Sequence, residues 1–258
     1  MVSPLRLSLA PVMMIAAMLA SPLPAQDAGE ATSESVTPEQ ILAGSNLFNG
    51  GSCVICHAIA GKGSGTRAPD LSDVEWLHSQ GDLDGILQTI LSGVPQQNIK
   101  AVKPRPLPMN PKGGLNVSDE QIASVAAYVW ALSQPEPHGF ISQQWQFLEL
   151  ARAGQFAEAR AVFQATREKY PDNLLIPENG MNAFGYEFLG RGDTDGAIEV
   201  FQLNVDLHPE SFNPWDSLAE AYMTKGDNEH AIEYYEKSLE LNAENTNAVD
   251  KLKELGAS

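Results

Sequence analysis

Apolar residues in the first half of the chain recur at the spacing of an α-helix. In the segment “SDEQIASVAAYVWALS” (residues 118–133), apolar positions follow one another at three, four and seven residues. They are Ile122, Val125, Ala126 and Val129. Ser118 precedes this stripe and Gln121 follows three residues later, a pattern typical of a capping box at a helix N-terminus. The segment therefore predicts one amphipathic helix.

Two further segments of the first half carry helix signals. The segment “TPEQILAGSNLF” begins with Thr37 as a helix cap, Pro38 at the first helical position and Gln40 at the third. The segment “DLDGILQTILSGV” predicts a shorter amphipathic helix at about residues 82–92. Few stretches in this region alternate as strands do, so we expect an all-α domain of about 95 residues.

In the second half, a pattern of small and large residues repeats every 34 positions. Gly192, Ala197, Phe201 and Pro209 recur as Gly226, Ala231, Tyr235 and Ala243. A weaker copy that begins at Gly154 is offset by 38 residues, and the four extra residues are “LLIP” (174–177). The period resembles that of the tetratricopeptide repeat, a pair of helices joined by a glycine turn. Three such pairs, with a capping helix at 246–256, predict an α-solenoid.

The charge of the chain excludes some classes of partner. The formal net charge is −17, which disfavours nucleic acid and anionic membrane surfaces. Residues 26–138 carry 12 acids and 6 bases, whereas residues 139–258 carry 21 acids and 9 bases. The second half therefore holds most of the negative charge.

The N-terminus has the pattern of an export signal. One early cation, Arg6, precedes an apolar stretch from Leu7 to Ala20, and small residues and prolines follow. The apolar run is shorter than the roughly 20 residues that a membrane-spanning helix needs. We therefore expect a signal peptide at 1–25, a disordered leader at 26–36, and a mature chain outside the cytoplasm, in the periplasm, without a membrane span.

The only two cysteines lie three residues apart, in the segment “CVICH” (53–57). Three chemistries use such a cluster: a redox dithiol, half of a zinc site, or covalent attachment of haem. A structural zinc site needs four ligands, and the chain has no other cysteine. A thioredoxin-like dithiol expects a βαβ setting, which the helical pattern does not offer. The pattern favours one haem c, with Cys53 and Cys56 as thioethers and His57 as an iron ligand.

Residues 38–134 resemble the class I c-type cytochromes, which are small all-α electron carriers. The resemblance rests on the “CVICH” motif, on “APDL” (68–71), and on “PMNPKGGLNVSDEQIASVAAYVWALS” (108–133). Gly44 and Phe48, with Tyr128, match the pair of terminal helices that cross in this family.

The resemblance implies several site residues. Pro69 would orient His57 through its carbonyl group, and Met109 would be the second axial iron ligand. A thioether ligand raises the reduction potential, and prolines stiffen the loop that carries Met109. Here Asn110 follows the methionine, where the family has a proline. Trp76 resembles an aromatic residue near the haem edge, although a tryptophan of the core is an equal alternative.

The inner face of the predicted repeats is polar and acidic. Its expected groove residues are Asn179, Asn182, Tyr186, Asn213, Asp216 and Glu220. They include no lysine or arginine, which disfavours capture of a partner's C-terminal carboxylate and favours a basic partner surface. A repeat module that only shields or spaces the haem domain is the alternative.

Together these features predict a cytochrome c domain at 37–134, a linker at 135–140 and a tetratricopeptide domain at 141–258. The leading hypothesis is an exported electron-transfer protein that is not an enzyme. Its repeats would dock it to a redox partner, either a periplasmic dehydrogenase or a terminal oxidase. The alternatives are a haem-based redox or gas sensor that signals through the repeats, and an assembly factor in which the haem is secondary.

Overall fold

A computed structural model describes residues 36–63, 67–100 and 107–257. The predicted signal peptide, and the predicted leader except for Val36, lie outside the described residues. The described part is all-α, with α1 (Pro38–Gly50), α2 (Cys53–His57), α3 (Leu83–Ser92), α4 (Asp119–Leu132), α5 (Gly139–Arg152), α6 (Phe156–Lys169), α7 (Glu178–Gly190), α8 (Thr194–Leu207), α9 (Phe212–Lys225), α10 (Asn228–Leu241) and α11 (Thr246–Glu254). None of the described helices is long and apolar enough to cross a bilayer.

The helices of the first half begin at the caps that the sequence predicts. Thr37 and Gln40 form a capping box at α1, and Ser118 and Gln121 form another at α4. Each box pairs two backbone N–H groups that the first helical turn leaves without partners. Asp82 caps α3 by accepting a hydrogen bond from the Gly85 N–H.

α1 and α4 cross at Gly44, in the arrangement that the resemblance implies. A Cβ atom at this position would collide with the carbonyl oxygen of Ser124 and approach Cβ of Tyr128. Only glycine therefore allows the two backbones to come this close. Phe48 packs on Tyr128 beside the crossing, with ring centroids 5.5 Å apart. The contact between α1 and α4 is the most extensive helix packing in the first half of the described chain.

The second half is an α-solenoid of three helix pairs and a cap. The pairs are α5 with α6, α7 with α8, and α9 with α10, and α11 packs against α10. Ala159, Ala197 and Ala231 are fully or almost fully buried on the second helix of each pair. Small residues at these positions let the paired helices pack closely. The predicted order of an all-α domain followed by three helix pairs and a capping helix is confirmed.

The two halves of the described chain share one hydrophobic core rather than being joined by a free linker. α5 begins at Gly139, inside the predicted linker at 135–140, because His138 accepts a hydrogen bond from the Phe140 N–H and caps the helix. Buried residues from α1, α4, α5 and α7 belong to a single cluster. The connection between the halves is therefore a short turn.

The four extra residues at 174–177 fill the contact between the two halves. Leu175 and Ile176 are 1% and 0% exposed and belong to the shared core. Pro177 lies against Gly50 at the end of α1, and a Cβ atom on Gly180 would lie 2.6 Å from the carbonyl oxygen of Asn49. The residues that interrupt the repeat period thus form the surface on which the first helix packs.

Candidate functional site

The cysteine–histidine segment forms a helix of its own and ends in an unusual turn. α2 carries Cys53, Cys56 and His57, and the backbone then turns through Ala58 and Ala60, whose φ angles are 58° and 53°. Residues with a Cβ rarely adopt this left-handed region. The turn follows directly after His57, and Ala60 within it is fully buried.

These residues line one large, mainly apolar cavity of about 330 Å³. Cys53, Cys56 and His57 enter it from α2, and Met109 enters it from the segment before α4. The other lining residues are mostly apolar and include Phe48, Pro69, Leu71, Trp76, Ile86, Ile90, Val94, Leu107, Val125 and Val129. The structure therefore brings together the six residues that the sequence predicts as cofactor or iron contacts.

The ring of His57 has one buried nitrogen atom. Its Nδ1 atom has no hydrogen-bond partner among the described residues. Burial lowers the pKa of the ring, and the nearby carbonyl of Pro69 acts in the opposite direction. The backbone of Pro69 therefore lies near the ring. A neutral imidazole is the form that binds a metal.

The Cys53 thiol does not have the character of a reactive redox thiol. Burial raises the pKa of the Cys53 thiol to about 11. Reactive cysteines in redox proteins have lowered pKa values, because the thiolate is the nucleophile. The described residues also contain no group of three or more His, Cys, Asp and Glu side chains placed to hold a metal ion. The pair therefore fits thioether attachment better than either alternative.

Met109 is held at the cavity by the chain that follows α3. Its backbone pairs with Val94 through two hydrogen bonds, of 2.7 and 2.9 Å. The next residues form a tight turn at Pro111–Gly114, and Ser52 Oγ donates a hydrogen bond to the Gly113 carbonyl at 2.8 Å. This bond joins the methionine segment directly to the start of α2. The two candidate iron-ligand segments are thus fixed to each other.

Comparison with protein families agrees with this geometry. Residues 41–133 match the family model described as cytochrome c. Residues 146–173 and 213–245 match two models described as tetratricopeptide repeat. The chain is a cytochrome c domain fused to tetratricopeptide repeats. No curated protein matches the chain.

The cytochrome c domain is haem-binding, and the cavity fits haem c. The chain holds two cysteines and a single “CxxCH” motif, which is consistent with one group. A mainly apolar cavity that two half-buried cysteines and the ring of His57 line together has the features that such a group needs. When bound, haem supplies an iron that changes its charge by one electron. Cys53 and Cys56 would hold it covalently, and His57 and Met109 would bind the iron.

Trp76 lines the cavity of the cytochrome c domain rather than the centre of the core. Its indole ring lies over Gly81, whose φ angle of 82° and lack of a side chain leave room for it. His78 lines the same cavity, although it belongs to none of the motifs found in the sequence. A lone histidine in a loop carries no spacing signal, so nothing in the sequence could have indicated this position.

The predicted groove residues are more engaged with the protein than expected. Tyr186 OH donates to Glu220 Oε2 at 2.6 Å, which links the first helices of two neighbouring repeats. Asp216 accepts hydrogen bonds from Asn245 and Asn247. These contacts fix the acidic side chains on one face of the repeat domain without neutralising them.

One predicted groove residue has a different role. Asn179 Nδ2 donates to the carbonyl of Gly50 at 3.0 Å, so this exposed side chain bonds to the cytochrome c domain. Asn213 donates to Glu178 within the repeats, and the Oδ1 atom of Asn182 is buried without a partner. The tetratricopeptide consensus places Asn179 on the inner face. The contact with α1 could not be derived from the repeat.

Proposed function

We propose that the protein is an exported monohaem cytochrome c that transfers electrons, and that its repeats dock it on a protein redox partner. The observation that carries the proposal is the convergence of Cys53, Cys56, His57 and Met109 on one apolar cavity. Thioether and imidazole ligands with an apolar surround favour electron transfer at a raised reduction potential. Catalysis at haem needs an open iron position, which ligation by both axial residues would not leave.

The residues of the cavity would have separate roles in binding the haem. The two cysteines would anchor the group, and the Pro69 carbonyl would orient the His57 ring, since the partner of the second ring nitrogen sets tautomer and ligand strength. The Val94 pairing would hold the Met109 thioether at the cavity in both oxidation states. The apolar lining would exclude water, so that reduction changes the local geometry little.

The location and partner follow from the signal and the charge. Cytochrome c domains of this type are often periplasmic or extracellular, and the predicted signal peptide at 1–25 agrees with export. Tetratricopeptide repeats are protein-interaction modules. The 21 acids and 9 bases of residues 139–258 favour a partner with a basic docking surface. A periplasmic dehydrogenase or a terminal oxidase fits this description.

Absorption spectra of the purified protein test the haem part of the proposal. We expect the oxidised form to show the thioether-to-iron band, and the reduced form to be unchanged by carbon monoxide. Stopped-flow mixing with a basic electron-transfer protein tests docking. The rate should fall as salt rises, because charge attraction is screened over a Debye length of about 8 Å at physiological salt.

A matched pair of charge reversals localises the docking surface. Glu220→Lys changes the inner face of the repeats, whereas Glu236→Lys makes the same change at an exposed position on α10. Only the first should slow the reaction at low salt, to about the rate of the intact protein at high salt. Equal rates for both variants would contradict docking through the inner face.

A haem-based sensor is the second candidate, and one observation favours it. The cytochrome c domain and the repeats are joined by direct hydrogen bonds, among them that from Asn179 to Gly50. A change at the haem could therefore reach the repeats without an intervening linker. Binding of carbon monoxide to the reduced protein would favour this candidate, because it requires that Met109 dissociates.

A further inference from the structure

A set of buried hydrogen bonds connects the first repeat helix to the interior of the cytochrome c domain. Gln144 on α5 is fully buried. Its Nε2 atom donates to Ser45 Oγ at 2.8 Å and to the Leu175 carbonyl at 2.7 Å. Its Oε1 atom accepts from the Tyr128 hydroxyl at 2.8 Å. One side chain of the repeat domain thus bonds to α1, to α4 and to the four-residue insertion.

The same set of bonds continues to the segment that follows His57. The Asn49 Nδ2 atom donates to the Tyr128 hydroxyl and to Ser45 Oγ, both at 3.1 Å. The Asn49 Oδ1 atom accepts from the Ala60 N–H at 2.9 Å. Asn49 and Tyr128 are both 0% exposed. A continuous path of partners therefore leads from Gln144 through Tyr128 and Asn49 to the backbone of Ala60.

The segment at the end of this path needs external support. Ala60 lies three residues after His57, and both Ala58 and Ala60 have positive φ angles. Non-glycine residues keep such angles only where the surrounding structure holds them. The bond from Asn49 is a side-chain contact that does so at Ala60. Asn49 in turn depends on Tyr128 and Ser45 for its orientation, and both of these bond to Gln144.

We propose that Gln144 is a positioning residue for the segment that carries His57. The repeat domain then completes the cytochrome c domain, because a side chain outside that domain fixes Tyr128 and Asn49, and through them the turn at 58–60. That His57 binds iron rests on the proposed function. That Gln144 positions the segment after His57 rests on the hydrogen bonds alone.

Amide hydrogen exchange in the full-length protein tests the role. Gln144→Met keeps the volume of the side chain and removes its hydrogen-bonding groups. Gln146→Met makes the same change at an exposed position of the same helix. We expect the Ala60 amide to exchange about tenfold faster in Gln144→Met, since buried polar groups lose their partners. The amide of Ala219, which is buried in α9, should be unchanged, and Gln146→Met should match the wild type.

A second variant follows the path from the other side. Tyr128→Phe removes the hydroxyl that joins Gln144 to Asn49, and it should also speed exchange at Ala60. The double variant should be no faster than the more affected single variant, because both changes break the same path. In the haem-loaded protein, both single variants should alter the thioether-to-iron band. Tyr128→Phe supplies the test if Gln144→Met fails to fold.

Two results would overturn the inference. Exchange at Ala60 that rises only in proportion to exchange at Ala219 would mean that Gln144 stabilises the whole chain. Fully additive effects of the two changes would mean that they act separately. The exchange rates report on positioning whether or not the chain carries haem, and the absorbance of the wild-type protein reports on haem. The inference and the proposed function can therefore fail independently.

Discussion

Val94 and Met109 face each other across an isolated pair of antiparallel backbone hydrogen bonds. The pair forms where the chain leaves α3, immediately after Gly93. The methionine of the cavity is therefore held by backbone atoms, and its own side chain remains free to point inward. The position of the thioether depends on the end of α3, more than 15 residues earlier in the chain.

Replacement of Gly93 by alanine should disturb the methionine segment. Gly93 has a φ angle of 70°, and an added Cβ would collide with the Met109 carbonyl and approach Pro111. We expect backbone strain to lower the free energy of unfolding by about 1–3 kcal/mol. The thioether-to-iron band should also become weaker. Absorbance and thermal unfolding measure the two effects.

Gly226→Ala is the control for Gly93→Ala. Gly226 also has a positive φ angle, 85°, but nothing lies within 4 Å of the added atom. This variant should lose stability and keep the band. If Gly93→Ala kept the full band as well, the backbone pairing would not be what holds Met109.

Removal of the Met109 thioether should open the iron position. In Met109→Leu, the reduced protein should bind carbon monoxide. The reduction potential should decrease, by less than the roughly 0.8 V over which axial ligands vary the potential of haem. Met223→Leu, in the repeats, should leave spectrum and potential unchanged. A potential that stayed constant in Met109→Leu would indicate another sixth ligand, and His78 is the histidine that shares the cavity.

Truncation of Ile176 should destabilise both halves of the protein together. Ile176 is fully buried in the shared core. Ile176→Ala should therefore lower the free energy of unfolding by about 2–5 kcal/mol. Haem absorbance and far-ultraviolet circular dichroism should then show one transition, at a lower temperature than in the wild type.

Leu252→Ala is the comparison for Ile176→Ala. Leu252 packs on a separate small cluster around Ala219, Tyr235 and Ala248. Its loss should lower the helical signal of the terminal repeat and leave the transition of the haem domain in place. Separate transitions in Ile176→Ala would show that the shared core does not couple the two halves.

The repeat domain should lose stability as pH rises through the range in which Asp216 ionises. Burial raises the pKa of this carboxyl above its ordinary value of 3.8. The folded state therefore favours the protonated form, whose contribution is full at low pH and is lost between 3.8 and the raised value. Asp216→Asn should remove this part of the pH dependence.

Urea unfolding at several pH values measures the effect of Asp216→Asn. The exposed Asp250 gives the control, because Asp250→Asn changes the same charge at the surface. An identical pH dependence in the wild type and in Asp216→Asn would show that this half-buried carboxyl is not responsible.

Local patterns in the sequence were sufficient for many of the helices and for the cysteine–histidine motif, whereas Pro69, Trp76 and Met109 came from the resemblance. The capping boxes at Thr37 and Ser118 involve residues three positions apart, and such contacts can be seen in any sequence. The crossing at Gly44 followed from resemblance, because close backbone approach restricts that position to glycine. The assignment of Met109 and Pro69 as haem contacts remains a prediction, although both line the cavity.

Contacts between distant segments could not be predicted from one sequence. Gln144 lies 99 residues from Ser45, and no spacing rule relates them. The repeat consensus placed Asn179 in a groove because it describes an average repeat, in which no cytochrome packs beside the helix. The insertion at 174–177 was visible as an irregular period, but its burial depends on the surface that α1 presents.

That insertion also limits how the protein can be re-engineered. A repeat array with the regular period of 34 residues would lack Leu175 and Ile176, and with them the acceptor carbonyl for Gln144. Fusing this cytochrome to repeats from another source would give a chain with the same domain order and no matching contact surface. The two domains of this chain are thus adapted to each other, and exchange of either one by recombination would have to include residues 174–177.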